Sequence, residues 1–144
     1  MKIIIAAMFF CWFSFAQATE IVREQGFEVQ IQPFPSTFLT QEVASLHGFE
    51  RSRRQALINL VVLNVQSDGQ ARGAVAADVT GFSRNLLGQT QILSFKEIDE
   101  GTGAIYYLAP VRVSSEEEIQ FVLKVLPKNA QVIDIKFKHR VYVD

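Results

Sequence analysis

Apolar and polar residues alternate at period two along most of this chain. Phe27, Val29 and Ile31 alternate with Glu28, Gln30 and Gln32, the pattern of a half-buried strand. Val75, Ala77 and Val79 alternate with Ala76, Asp78 and Thr80, and Gly81 then marks a bulge or bend. Residues 86–98 alternate irregularly, which predicts one strand with a bulge near Ile92-Leu93. A loop of glycines and short polar residues at 99–103 leads into a strand over 104–113, whose end Pro110 makes an edge or a bulge. The last two strands are the most regular. Ile119, Phe121, Leu123 and Val125 share one face; Ile133, Ile135, Phe137, Val141 and Val143 continue an inward line that also takes in His139. Setting Leu126 opposite Val132 places Lys124 across from Asp134 and Glu118 across from Arg140, pairs worth roughly 0.2–1 kcal/mol each.

One strand departs from the alternation. From Ala56 the chain reads Ala-Leu-Ile-Asn-Leu-Val-Val-Leu-Asn-Val, apolar on both faces, as in a central strand covered on both sides. The short helix before it is the expected cover. Asn59 interrupts the second face. A buried Asn needs hydrogen bonds, so it reads first as a bracket for loop backbone and second as a ligand contact.

The stretch leading into that strand gathers several signals. Pro33 and Pro35 fix φ and donate no backbone hydrogen bond, so the first strand must turn a corner there. Thr40 is a helix N-cap, Glu42 sits favourably in the first turn, and Gly48 stops the helix after about two turns. So short a helix is stable only when docked, and Phe34, Phe38 and Leu39 are the expected docking groups. Pro35, Ser36, Thr37 and Phe38 can form a presented binding loop. Alternatively they form a structural corner whose large side chains plug one end of the core. Arg51, Arg53 and Arg54 can grip a carboxylate, a phosphate or an acidic partner, or simply keep a strand entry soluble.

The sum is an all-β fold: a single antiparallel, immunoglobulin- or fibronectin-III-like β-sandwich of about seven strands with one short helix. Residues 1–18 stand outside it. A positive Lys2, an apolar run over 3–15 and Ala16-Gln17-Ala18 make a secretory signal peptide, cut after Ala18. The run is shorter than a membrane span requires, and the mature chain has no transmembrane segment. The domain is then 19–144, 126 residues with no cysteine, so an apolar core and no disulfide must hold it. Thirteen basic against fifteen acidic residues remain. That balance lacks the basic footprint of a nucleic-acid binder.

The chemistry-bearing residues are sparse. His47 and His139 without a mature cysteine leave little for zinc. There is no calcium loop, phosphate cradle or nucleophile elbow, and Ser36 has no His or Asp near it in sequence. The expectation is a protein that is not an enzyme and uses no cofactor or metal.

The run Phe34-Pro35-Ser36-Thr37-Phe38-Leu39-Thr40 with Glu42-Val43-Ala44, then Arg51-Ser52 and Ala56-Leu57-Ile58-Asn59, resembles a family of exported proteobacterial proteins, the domain of unknown function 4426. Gln41, in place of a proline, and the spacing at Gly48-Phe49-Glu50 depart from the family pattern. The resemblance implies a small periplasmic all-β protein and brings no activity. Two functions fit. One is an interaction module that binds a periplasmic protein or envelope component through the corner and the arginines. The other is a small-ligand carrier with a pocket between helix and sheet, lined by Phe38, Leu39 and Asn59.

Overall fold

The computed structural model describes residues 19–142 apart from 100 and 102; the expected signal peptide and Val143 lie outside the described residues. In chain order the strands are β1 (Glu20–Glu24), β2 (Phe27–Pro35), β3 (Gln55–Val65), β4 (Ala71–Ala74), β5 (Ala77–Asn85), β6 (Thr90–Leu93), β7 (Lys96–Asp99), β8 (Ile105–Arg112), β9 (Glu117–Pro127) and β10 (Ile133–Val141). A 3-10 turn (Ser36–Phe38) and helix α1 (Gln41–His47) separate β2 from β3. All pairings are antiparallel. One sheet runs β1-β2-β3-β8-β7 with β4 also on β3; the other runs β10-β9-β5-β6. In immunoglobulin lettering, β2-β3-β8-β7 are A-B-E-D and β10-β9-β5-β6 are G-F-C-C′. β1 is an extra strand outside A.

The core is the space between the sheets. Val29, Ile31, Ile58, Leu60 and Val111 face Phe121, Leu123, Val125 and Ile133 across it. Phe121 stacks on Phe137 at 5.1 Å between ring centroids. The Tyr107 hydroxyl, inside the core, accepts a hydrogen bond from the Ala77 N–H at 2.8 Å. It links β8 of one sheet to the first residue of β5 in the other, and burial pushes its pKa up.

The β9–β10 register is the expected one, with Lys124 opposite Asp134 and Glu118 opposite Arg140. Among the described residues, however, the ion pairs closer than 4 Å are Arg23–Glu28 and Arg72–Asp68. Ten strands among the described residues replace the expected seven. β1 joins β2 through Gln25-Gly26, both at positive φ (55° and 80°), the backbone of a tight two-residue hairpin. The stretch 86–98 is two short strands in different sheets, with no bulge at Ile92-Leu93: Gly81 to Arg84 pair in unbroken register with Leu93 to Thr90. Its irregular alternation records the crossing. Leu93 is buried in the core, whereas Ile98 is buried on the opposite, outer face of the first sheet. Gly81 is not a bulge either. A Cβ there would come within 2.5 Å of the Val122 carbonyl oxygen and 2.6 Å of Leu123 Cδ2, so glycine allows β9 its close approach.

Pro110 lies beyond the last β7–β8 pair, Lys96 with Leu108. No β7 residue stands opposite it, which is where a strand tolerates the missing N–H.

Candidate ligand cleft

β3 is central in its sheet, and its two sets of side chains go to different compartments. Ala56, Ile58, Leu60 and Val62 enter the core. Leu57 and Asn59 point to the outer face, with Phe34 of β2 beside Leu57 and Leu108 of β8 beside Asn59. Tyr106 and Ile98, paired across β8 and β7, extend the same face. This surface is too apolar to be left open, and α1 lies over it.

The way α1 is held follows from local sequence. The Thr40 hydroxyl accepts from the Val43 N–H at 3.2 Å, and Gly48 closes the helix in the left-handed conformation (φ 72°). Ala44 is buried. The Lys96 ammonium donates to the His47 carbonyl at 2.7 Å. A cation at a helix C-terminus also complements the dipole. At the corner, the Ser36 hydroxyl donates to the Ser52 carbonyl (2.8 Å) and accepts from the Ser52 N–H (2.9 Å), which fixes the chain entering α1 against the chain leaving it.

Between α1 and the sheet remains a cleft of about 170 Å³, bounded by Val43 and His47 above and by Phe34, Asn59, Ile98, Tyr106 and Leu108 below. Asn59 Oδ1 is buried at this cleft and has no hydrogen-bond partner. Among the described residues it is the single buried side-chain nitrogen or oxygen in that condition. An unsatisfied buried acceptor costs roughly 1–3 kcal/mol. The expectation that Asn59 brackets loop backbone is therefore corrected: Ser36 does that work, and the Asn59 oxygen is enclosed without a hydrogen-bond partner among the described residues.

The other expected site residues separate. Phe38 is 64% exposed and Leu39 half-buried; neither lines the cleft, so the expected docking role of Phe38 and the expected lining are corrected. Pro35 falls on the same face of β2 as Val29, Ile31 and Pro33 and is half-buried; the 3-10 turn that starts after it ends with Phe38 exposed. The Thr37 carbonyl accepts from Arg51 Nη2 at 3.2 Å, so Arg51 braces the corner. Arg53 and Arg54 are exposed. Arg54 lines a second, polar cleft of about 930 Å³ at the end of the sandwich, with Glu50, Ser83, Arg112 and Glu117. There the Arg112 N–H donates to Gln91 Oε1 (2.9 Å) and Glu117 Oε2 accepts from the Ser114 N–H (2.9 Å). Arg51 thus belongs to the corner, Arg54 to the polar cleft and Asn59 to the cleft under α1.

Val43, His47, Ile98, Tyr106 and Leu108 were not foreseen as site residues. The pattern held one signal for them: a β3 apolar on both faces requires an apolar neighbour on its outer side. Among the described residues no three His, Cys, Asp or Glu side chains stand together as a metal ion would require. No helix among them is long and apolar enough to cross a membrane. Burial lowers the pKa of His139, which lies on the inward face of β10 away from the cleft.

The geometry can be set beside known proteins. A crystal structure of a DUF4426 family protein from Pseudomonas aeruginosa PAO1 is 32% identical, with a TM-score of 0.76 over 90% of this chain and 99% of that one. FetP of uropathogenic Escherichia coli strain F11, recombinantly expressed in the periplasm, superposes with a TM-score of 0.63 at 11% identity over 88% of this chain and 95% of its own. A copper-bound variant of FetP, with one glutamate replaced by glutamine, gives 0.64, also at 11% identity, over 88% and 96%. At that identity the likeness to FetP is one of fold. No curated protein sequence matches. The sequence profile described as a domain of unknown function, DUF4426, matches residues 21–144, and the chain belongs to that family.

Proposed function

We propose that this is an exported, periplasmic, non-catalytic carrier of a small ligand, held in the cleft between α1 and the sheet. The observation that carries the reading is the cleft itself, about 170 Å³ between helix and sheet, walled mainly by Phe34, Val43, Ile98, Tyr106 and Leu108 with Asn59 and His47 as its polar side chains. Pockets of this kind use apolar walls for affinity and one or two polar atoms for orientation. The leader-like residues 1–18 support export, and the periplasmic expression of FetP accords with it. The copper is a property of the FetP variant, with which this chain shares the fold at 11% identity. Native mass spectrometry of the protein purified from its own periplasm tests the proposal. A copurifying small molecule that disappears in Asn59→Leu is the expected result. A bare mass together with a crosslinked partner protein would overturn it.

That outcome would favour the interaction module, for which one observation speaks. Phe38 stands 64% exposed on the corner, and the side chains of Arg53 and Arg54 make no hydrogen bond or ion pair among the described residues. Under that reading Arg53→Glu with Arg54→Glu abolishes partner capture and leaves the melting temperature nearly unchanged.

A further inference from the structure

We infer that the β5–β6 hairpin is a peripheral membrane anchor: Leu86 and Leu87 at its tip enter the interface of an anionic bilayer, and the basic side chains around it meet the lipid phosphates. The inference stands apart from the carrier reading, because the hairpin contributes no residue to the α1 cleft.

Exposure is the first observation. Leu86 and Leu87 are adjacent in one turn and 78% and 84% exposed, and Ile92 on β6 is 83% exposed. Single apolar side chains are ordinary on a protein surface; three large ones concentrated on one hairpin mark an interaction site. None of the three belongs to the core.

The second observation is the backbone of the turn. Asn85 Oδ1 accepts from the Leu87 N–H (3.1 Å) and the Gln89 N–H (2.9 Å), and Asn85 Nδ2 donates to Gln89 Oε1 (2.7 Å). The Asn85 carbonyl accepts from the Gly88 N–H (3.0 Å), and Gly88 supplies the positive φ (79°) of the turn. Bare backbone donors are costly in lipid, and three successive ones are already paired here. The turn is thus fixed, and its leucines are presented without ordering cost.

Charge is the third. From 79 to 96 the chain has no Asp or Glu. Arg84 precedes the tip and pairs with Gln120, which pairs in turn with Lys138, so Arg84 and Lys138 share an outer face. Arg54 and Arg112 line the polar cleft beside Asn85 and Gln89, where the acids are Glu50 and Glu117. Glu118, farther along the outer face, stands opposite Arg140. Four cations against two unopposed acids favour an anionic surface. A protein partner would have to offer this tip a fitted pocket, whereas a fluid bilayer accepts an apolar tip of any shape and its anionic headgroups attract the flanking cations.

Cosedimentation of the mature protein with vesicles tests this. Vesicles of equal parts phosphatidylglycerol and phosphatidylcholine should bind it, less so as salt is raised, and phosphatidylcholine alone should bind it weakly. Leu86→Ser with Leu87→Ser should lower partition by about tenfold or more, as the loss of two buried leucines implies, and leave the melting temperature unchanged. Residues 19–144 contain no tryptophan, so Leu87→Trp provides a single reporter whose emission should move to the blue on the anionic vesicles. No partition into those vesicles, or equal partition of the double serine variant, would overturn the anchor. So would a soluble periplasmic protein crosslinked through the hairpin when vesicles are not bound.

Discussion

The hydroxyl of Ser36 and the backbone of Ser52, sixteen residues apart, satisfy each other twice, at 2.8 Å and 2.9 Å. Ser36 is fully buried. It therefore serves the fold and holds the two ends of the α1 segment together. Ser36→Ala removes both bonds and leaves the Ser52 N–H without its acceptor, while the Ser52 carbonyl keeps the Gln55 N–H at 3.2 Å, so it should destabilise the protein by about 1–3 kcal/mol. Urea unfolding with an unchanged slope is the check. A loss below about 0.5 kcal/mol would mean that water replaces the hydroxyl and that the corner is looser than described.

Asn59 should behave in the opposite way. Because its Oδ1 has no partner, replacing the side chain by an apolar one of similar shape removes a penalty and loses no bond. Asn59→Leu is expected to raise stability by about 1 kcal/mol, or roughly 3–6 °C in melting temperature. A function-bearing residue that costs stability is the usual trade at a binding site. A lower melting temperature would show that the oxygen is bonded within the protein.

Gly81 tests the packing of the second sheet. Its missing side chain lets the Val122 carbonyl and Leu123 come close, with contacts of 2.5 Å and 2.6 Å awaiting any Cβ. Backbone cannot yield as a flexible side chain does. Gly81→Ala should cost about 1–3 kcal/mol by overpacking, read from thermal or urea unfolding. Its φ is not positive, so the loss would report space and not backbone strain.

Two groups give stability a pH dependence with the same sign. Burial lowers the pKa of His139 below its ordinary 6.5, so the unfolded chain binds a proton more readily than the fold does. Its contribution is complete above pH 6.5 and is lost as pH falls through the lowered folded value. Glu28 follows at more acid pH. Hydrogen bonds from Gln30 and from Arg23, at 2.7 Å each, hold its carboxyl below the ordinary 4.5, against the opposing effect of burial. Its contribution is present above pH 4.5 and is lost below it. Denaturation midpoints measured from about pH 8 to about pH 3 should fall in two steps, with the first removed by His139→Leu and the second by Glu28→Gln. A midpoint that rises on acidification would contradict both assignments.

What the chain's pattern revealed depended on how local the cause was. The β9–β10 register could be read residue by residue, because strict alternation and the opposed charges at Lys124/Asp134 and Glu118/Arg140 admit one alignment. Thr40 and Gly48 marked α1 for the same reason. β1 escaped notice because Glu20–Glu24 is mostly polar and exposed; the available signal was the turn at Gln25-Gly26. The division of 86–98 between two sheets was hidden because Leu93 and Ile98 are both buried but in different layers, a fact about three dimensions. The cleft was half legible. A β3 apolar on both faces announced a covered outer side, and Asn59 stood out within it. Ile98, Tyr106 and Leu108 arrive from strands some forty to fifty residues later, so the lining and the unpaired oxygen emerged only once the sheet was assembled.

A ligand site under α1 has a direct spectroscopic signature. Backbone and side-chain NMR shifts of the protein with and without the small molecule that copurifies from its periplasm locate it. The prediction is a single contiguous set of changes on Val43, Ala44, His47, Asn59, Ile98 and Leu108, with the Asn59 side-chain amide among the largest, while Ser83 and Arg112 at the sandwich end stay in place. Changes that cluster around Ser83 and Arg112 and leave Asn59 unmoved would contradict it.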